Sequence, residues 1–120
     1  MKDELKEKLK KNIKECINVP YLYGGNSLQG FDCSGLMQYL YKQIGKDIPR
    51  TSQEQYEFGK EIAKNEKFKF GDLIFYNDTD YVVMYLGENK ILEAPHTGAN
   101  VRISNIFDER NFCGARRILD

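Results

Sequence analysis

The spacing of apolar residues changes near Lys67 from the period of a helix to that of a strand. Upstream, apolar residues recur at intervals of three and four; downstream, they come in short β-branched and aromatic runs. Helices that precede strands in this way predict an α+β fold with a mostly antiparallel sheet. The length of 120 residues suits a single domain, residues 1–120.

The first predicted helix covers residues 3–17, in an N-terminal segment of residues 1–18. Its apolar face carries an aliphatic residue at every fourth position: Leu5, Leu9, Ile13 and Ile17. Its other face pairs glutamates with lysines four residues on, as in Glu4–Lys8 and Glu7–Lys11. The lysine-rich appearance therefore indicates a solvated helix face rather than a nucleic-acid site.

Two further helices are predicted before the change of period. The second begins at Asp32–Cys33, with Asp32 as the N-cap residue, and ends at Gly45. The third begins near Thr51, which has the capping-box spacing to Glu54. Both helices follow turn-rich segments that contain proline or glycine.

Short runs with the composition of strands follow Lys67. The predicted strands are residues 73–76, 81–86, 90–94, 101–103 and 115–119. Gly87, Glu88 and Asn89 have the composition of a hairpin turn between the second and third of these strands.

Charge and cysteine content exclude several classes of protein. Lysine plus arginine and aspartate plus glutamate each number 18, which argues against a general binder of nucleic acid or anionic membranes. The longest apolar run, residues 82–86, is too short to span a bilayer.

Three cysteines without CxxC spacing argue against a disulfide scaffold and a structural zinc site, so no metal is expected. The N-terminus has no apolar signal region, which predicts a cytosolic protein or a domain of a longer secreted one.

Cys33 is the candidate nucleophile, because it lies at a predicted helix start between Gly30 and Gly35. The positive end of the helix dipole and unpaired N–H groups stabilise a thiolate there. The alternative is a small buried residue that packs the helix start. By composition the base would be His96, the single histidine, although its strand-end turn is more typical of a structural loop residue.

Residues 30–36, Gly-Phe-Asp-Cys-Ser-Gly-Leu, resemble the nucleophile motif of the NlpC-type cell-wall cysteine peptidases. Further segments match that family in its order along the chain: residues 20–25, 49–52, 71–75, 82–87 and 93–98. The resemblance covers roughly residues 19–119, which is nearly the whole domain.

The resemblance implies a papain-like fold with circularly permuted elements and no metal or organic cofactor. It implies action on peptidoglycan stem peptides, between the γ-carboxyl of D-glutamate and an L-diamino acid, in a secreted or wall-associated protein. By position, Cys33 matches the nucleophile and Tyr21 matches a tyrosine that lines the cleft. Asp32 and Ser34 match flanking residues that help to orient substrate.

The departure from the family is Tyr81, which stands where the family has its catalytic histidine. Glu93 matches the residue that orients this histidine, and the predicted hairpin brings Tyr81 and Glu93 roughly opposite each other. A phenol has a reference pKa of about 10 and is a poor base at neutral pH. Strand alternation places His96, the possible alternative base, on the opposite face from Glu93.

Three functions follow from these residues. The favoured one is an NlpC-type endopeptidase in which Tyr81 impairs turnover. The second is an inactive module that binds wall peptides or a protein partner, and the third is acyl transfer through a thioester on Cys33. All three leave the oligomeric state open, and none involves nucleic acid or membrane insertion.

Overall fold

Helices precede an antiparallel sheet along the chain, as the change of period predicts. The computed structural model describes residues 2–106 and 111–119. The helices are α1 (Lys2–Cys16), α2 (Cys33–Gln43) and α3 (Ser52–Tyr56). A small hairpin before α2 consists of β1 (Asn26–Ser27) and β2 (Gly30–Phe31). The main sheet consists of β3 (Lys60–Glu61), β4 (Leu73–Tyr76), β5 (Tyr81–Gly87), β6 (Lys90–Glu93), β7 (Arg102–Asn105) and β8 (Phe112–Arg117).

The six strands of the main sheet lie in the order β3–β8–β4–β5–β6–β7, and every neighbouring pair is antiparallel. The predicted α+β class is therefore confirmed. The predicted hairpin turn between β5 and β6 is also confirmed. Glu88 and Asn89 have φ angles of 53° and 62°, as a two-residue turn with positive φ at both central positions requires.

The last predicted strand is wrong in its limits, because β8 begins at Phe112 and ends at Arg117. Its pairing with β4, from Leu73 opposite Arg116 to Tyr76 opposite Phe112, sets these limits. Hydrogen-bonding partners therefore decide the extent of this strand, rather than the apolar run at residues 115–119. The strands β1, β2 and β3 were not predicted, since two residues each are too few to show alternation.

The helix starts agree with the predicted caps. Asp32 caps α2 and accepts a hydrogen bond from the Gly35 N–H. Thr51 caps α3, where its Oγ1 accepts from the Glu54 N–H at 3.2 Å. Gly45, two residues beyond α2, has a φ of 84°, which a terminating glycine adopts readily.

Both faces of the central strands are covered. The face toward α1 and α2 packs a large cluster with these fully buried members: Leu9, Leu36, Leu40, Phe75 and Met84. The other face packs a smaller cluster around Ile74, Val83 and Ile91. No helix within residues 2–106 and 111–119 is long and apolar enough to cross a bilayer.

Candidate active site

Cys33 is the first residue of α2, and its side chain is partly buried. Its Sγ lies 3.9 Å from the carbonyl oxygen of Asp80, just ahead of β5. Burial is the largest influence on the thiol and raises its pKa; the backbone N–H groups of Val82 and Ser34 offset only part of this effect. The Ser34 N–H at the helix start and the Val82 N–H of β5 thus act on the sulfur, yet burial keeps it protonated more strongly than an ordinary cysteine.

Tyr81, the first residue of β5, donates its phenolic hydrogen to Glu93 Oε1 at 2.6 Å. The β5–β6 register pairs Met84 with Leu92, so Tyr81 lies diagonally from Glu93 rather than directly opposite. Burial, followed by the bond to the Glu93 carboxylate, raises the pKa of Tyr81 well above its ordinary value. The negative charge of a Cys33 thiolate acts in the same direction. The phenol therefore remains protonated at neutral pH.

Glu93 is a buried carboxylate, 2% exposed, with donors on both oxygens. Its Oε2 accepts from Arg102 Nε at 2.9 Å and from Ser104 Oγ at 2.6 Å. Burial alone would raise the Glu93 pKa, but the bonds from Ser104, Tyr81 and Arg102 outweigh it and hold the pKa below its usual range. The sequence prediction did not include Arg102 and Ser104 as site residues. The available signal was their spacing of two residues on one strand, which places both side chains on the same face.

Replacing Glu93 by glutamine should destabilise the fold by about 1.5–3 kcal/mol at pH 7, because the amide cannot accept from all three donors. The folded-state pKa of Glu93 is lowered, so its stabilisation is present above about pH 4.3, the ordinary value, and is lost as pH falls further. The stability difference between wild type and Glu93→Gln should therefore shrink below this pH. Urea unfolding at several pH values measures it, with the exposed Glu61→Gln as control. A difference that stays constant from pH 7 to pH 3 would contradict the role given to this carboxylate.

Asp32 and Ser34, predicted to orient substrate, are engaged in a hydrogen-bond network around the start of α2. The Asp32 carboxylate accepts from the N–H groups of Gly24 (2.9 Å) and Gly35 (2.7 Å). Arg50 donates to both Asp32 oxygens, at 3.1 and 2.9 Å, and to Ser34 Oγ at 2.9 Å. Burial would raise the Asp32 pKa, but the Arg50 guanidinium and these N–H groups hold it lower than usual. Sequence reasoning gave Arg50 no role, although it lies in one of the matching segments.

Tyr21, predicted to line the cleft, lies near the sulfur. Burial raises the pKa of its phenol, and the charges of Cys33 and Asp32 raise it further, so all three side chains are close enough to interact. Its backbone is fixed by an N–H bond to the Ala99 carbonyl at 2.9 Å and by a bridge to Phe31. The structure therefore brings Tyr21 near Cys33, and its role in lining the cleft stays a prediction.

His96, the possible alternative base, lies in the exposed turn after β6, where its Nδ1 is 3.0 Å from the Thr97 carbonyl oxygen. Among the described residues, no hydrogen bond joins it to Cys33 or Glu93. The structure thus groups Cys33, Tyr81 and Glu93 without His96. Within the same residues no cluster of histidine, cysteine and carboxylate side chains could hold a metal ion.

Curated relatives of this chain are peptidases by name. It is 37% identical over 118 residues to the probable endopeptidase YafL of Escherichia coli K12, an alignment that covers 89% of this chain and 47% of the relative. It is 36% identical over 110 residues to a gamma-D-glutamyl-L-lysine dipeptidyl-peptidase of Bacillus subtilis, with 84% and 37% covered. The chain thus spans less than half the length of either relative.

Solved structures match the fold over almost the whole chain. The peptidoglycan hydrolase RipB of Mycobacterium tuberculosis superposes with a TM-score of 0.89 at 32% identity, covering 99% of this chain and 67% of that one. The P60 domain of a Mycobacterium avium subspecies paratuberculosis antigen gives 0.88 at 33% identity, with 99% and 98% covered. These matches confirm the predicted papain-like fold. A sequence model of the NlpC/P60 family matches residues 18–116, and the chain therefore belongs to the NlpC/P60 family.

Proposed function

We propose that this chain is a cysteine endopeptidase domain acting on peptidoglycan stem peptides, with turnover slowed by Tyr81. The observation that carries the proposal is the grouping of a partly exposed Cys33 sulfur at the start of α2 with the Tyr81–Glu93 pair. Relatives named as peptidoglycan endopeptidases support the reaction class, and a relative named as a γ-D-glutamyl-L-lysine peptidase supports the bond. Such substrates place the domain at the cell wall, as part of a secreted or wall-associated protein.

The roles of the residues follow from the chemistry of a thiol nucleophile. The Cys33 sulfur attacks the carbonyl carbon of the γ-glutamyl amide, a thioester forms, and the diamino acid leaves as an amine. Water then hydrolyses the thioester and restores the thiol. The first step requires a group that takes the thiol proton and returns it to the departing nitrogen.

Tyr81 is poorly suited to this proton transfer. Its hydroxyl hydrogen is already donated to Glu93, and its pKa is raised above that of a free phenol. Glu93 is an anion, but its oxygens accept from Tyr81, Arg102 and Ser104. Neither Tyr81 nor Glu93 is therefore a base with a pKa near neutrality, and slow Cys33-dependent turnover is the expected behaviour.

Incubation with a stem peptide containing the γ-D-glutamyl–diamino acid bond tests the proposal. We expect slow release of the diamino acid fragment, detected by mass spectrometry over many hours, and no release by Cys33→Ala. Both proteins should bind the peptide with similar affinity in calorimetry, because removal of Sγ leaves the cleft walls in place. Absence of both binding and release would overturn the proposal.

A binding module without turnover is the second candidate. It is favoured by the same Tyr81–Glu93 bond, which occupies the position where proton transfer is needed. It predicts binding without any product and no acyl adduct in the intact mass. An adduct on Cys33 that is released by an added amine rather than by water would instead indicate acyl transfer.

A further inference from the structure

The segment between β4 and β5 has an unusual backbone. Asn77, Asp78 and Thr79 all have positive φ angles, of 56°, 58° and 69°. Asparagine and aspartate tolerate this conformation, but a β-branched threonine adopts it rarely. Three such residues in succession persist only where surrounding contacts hold them.

The contacts that hold this segment come from two directions. From β8 and the residue before it, the Asn111 carbonyl accepts the Asn77 N–H at 2.9 Å, and Cys113 Sγ lies 3.3 Å from the Thr79 nitrogen. From α3, Gln53 Nε2 donates to Asp80 Oδ1 at 2.6 Å. Within the segment, the Asp80 N–H donates to the Asn77 carbonyl at 3.0 Å, and Gln53 supplies a side-chain bond to Asp80 from a separate element.

Helix α3 is itself fixed to the start of α2. The Nε2 of Gln55, a fully buried residue, donates to the Ser34 carbonyl at 3.0 Å and to the Pro49 carbonyl at 2.9 Å. Gln53, two residues earlier, reaches the segment before β5. Helix α3 therefore connects the start of α2 with residues 77–80, and both of these border the Cys33 sulfur.

The segment held in this way lies beside the sulfur. The Asp80 carbonyl oxygen lies 3.9 Å from Cys33 Sγ, where it can accept the thiol hydrogen and so favours the protonated thiol. Val82 belongs to β5 and is paired with Phe75, so its N–H stays in place independently of Gln53. Release of Asp80 would thus remove its carbonyl contact, which favours the thiol, and keep the Val82 N–H contact, which favours the thiolate.

We propose that Gln53 and Asp80 are positioning residues whose hydrogen bond holds residues 77–80 beside the Cys33 sulfur, with the Asp80 carbonyl oxygen as an acceptor for the thiol. The proposal rests on the proposed function in that it gives Cys33 the role of nucleophile. Both side chains are exposed, so breaking the bond costs little free energy. Residues 77–80 can therefore move when a substrate enters the cleft.

Alkylation of Cys33 by iodoacetamide, followed by peptide mass spectrometry over a range of pH, tests the proposal. Gln53→Ala and Asp80→Ala should each lower the midpoint of the pH profile by about half a unit to one unit. They should also raise the rate at pH 7 by about threefold to tenfold. The double variant should behave like either single variant, because both remove the same bond.

Conservative variants and a buried cysteine separate this role from a general loss of structure. Asp80→Asn keeps an oxygen that accepts from Gln53 and should retain the wild-type profile, whereas Asp78→Asn controls for loss of charge in the same segment. Cys16, fully buried, should stay unlabelled unless the protein unfolds. An unchanged midpoint in Gln53→Ala, or a shift in Asp80→Asn equal to that in Asp80→Ala, would overturn the proposal. Because alkylation needs no peptide, failure here is distinguishable from failure to hydrolyse stem peptides.

Discussion

Histidine in place of Tyr81 should raise the rate of stem-peptide hydrolysis by about 10² to 10⁴-fold, the usual contribution of a positioned acid–base group. An imidazole has an ordinary pKa of about 6.5 and can both take the thiol proton and return it to the amine. Glu93 already presents Oε1 toward position 81, fixed by Arg102 and Ser104 at its other oxygen. One ring nitrogen can therefore donate to Glu93 while the other faces the sulfur. Initial rates of fragment release by the two forms measure the effect.

Two further variants test whether the gain comes from a base at position 81 that acts on the Cys33 thiol. Tyr81→Phe keeps the ring and removes the hydroxyl, so it should gain no activity. Cys33→Ala combined with Tyr81→His should be inactive, since the base then has no thiol to deprotonate. Equal rates for Tyr81→His and the form with Tyr81 would contradict the proposal that Tyr81 slows turnover.

Alanine in place of Gly35 should destabilise the protein by at least about 3 kcal/mol, by overpacking against backbone. A Cβ at this position would lie 2.0 Å from the Gly25 carbonyl oxygen and 2.9 Å from Asp32 Oδ1. The Gly25 carbonyl cannot retreat easily, because it accepts the Asp32 N–H at 3.0 Å. The start of α2 would have to move, and Cys33 with it. Urea unfolding measures the loss of stability.

Gly45→Ala is the matched control for this substitution. Gly45 has a φ of 84° and open space where a Cβ would be, so alanine there should cost only about 1 kcal/mol through backbone strain. The difference between the two variants isolates the steric contact at Gly35. Equal losses would show that the close approach of Gly25 does not restrict this position.

The sequence predicted those parts of the site that depend on local pattern. Asp32 as a helix cap, Cys33 as the first helical residue and the β5–β6 hairpin all follow from the spacing of neighbouring residues. Arg50 could not be assigned to Asp32 in the same way, because 18 residues separate them and only the packed fold brings them together. The raised pKa of the Cys33 thiol was likewise not predictable, since it results from burial by segments distant in the chain.

The strands β1 to β3 show a second limit. Each contains two residues, and their pairing depends on partners rather than on their own composition. The same applies to Gln53, an ordinary surface residue of α3 in sequence, whose bond to Asp80 exists because the fold brings α3 beside the segment that precedes β5.

The anchoring of Glu93 has an evolutionary consequence. Arg102 and Ser104 bind Glu93 Oε2, whereas Tyr81 binds Oε1, so two of the three contacts to this carboxylate do not depend on which residue stands at position 81. Tyrosine and histidine codons differ only at their first base, so under the proposed function a single point mutation interconverts a slow and a fast form while these contacts to Glu93 stay in place.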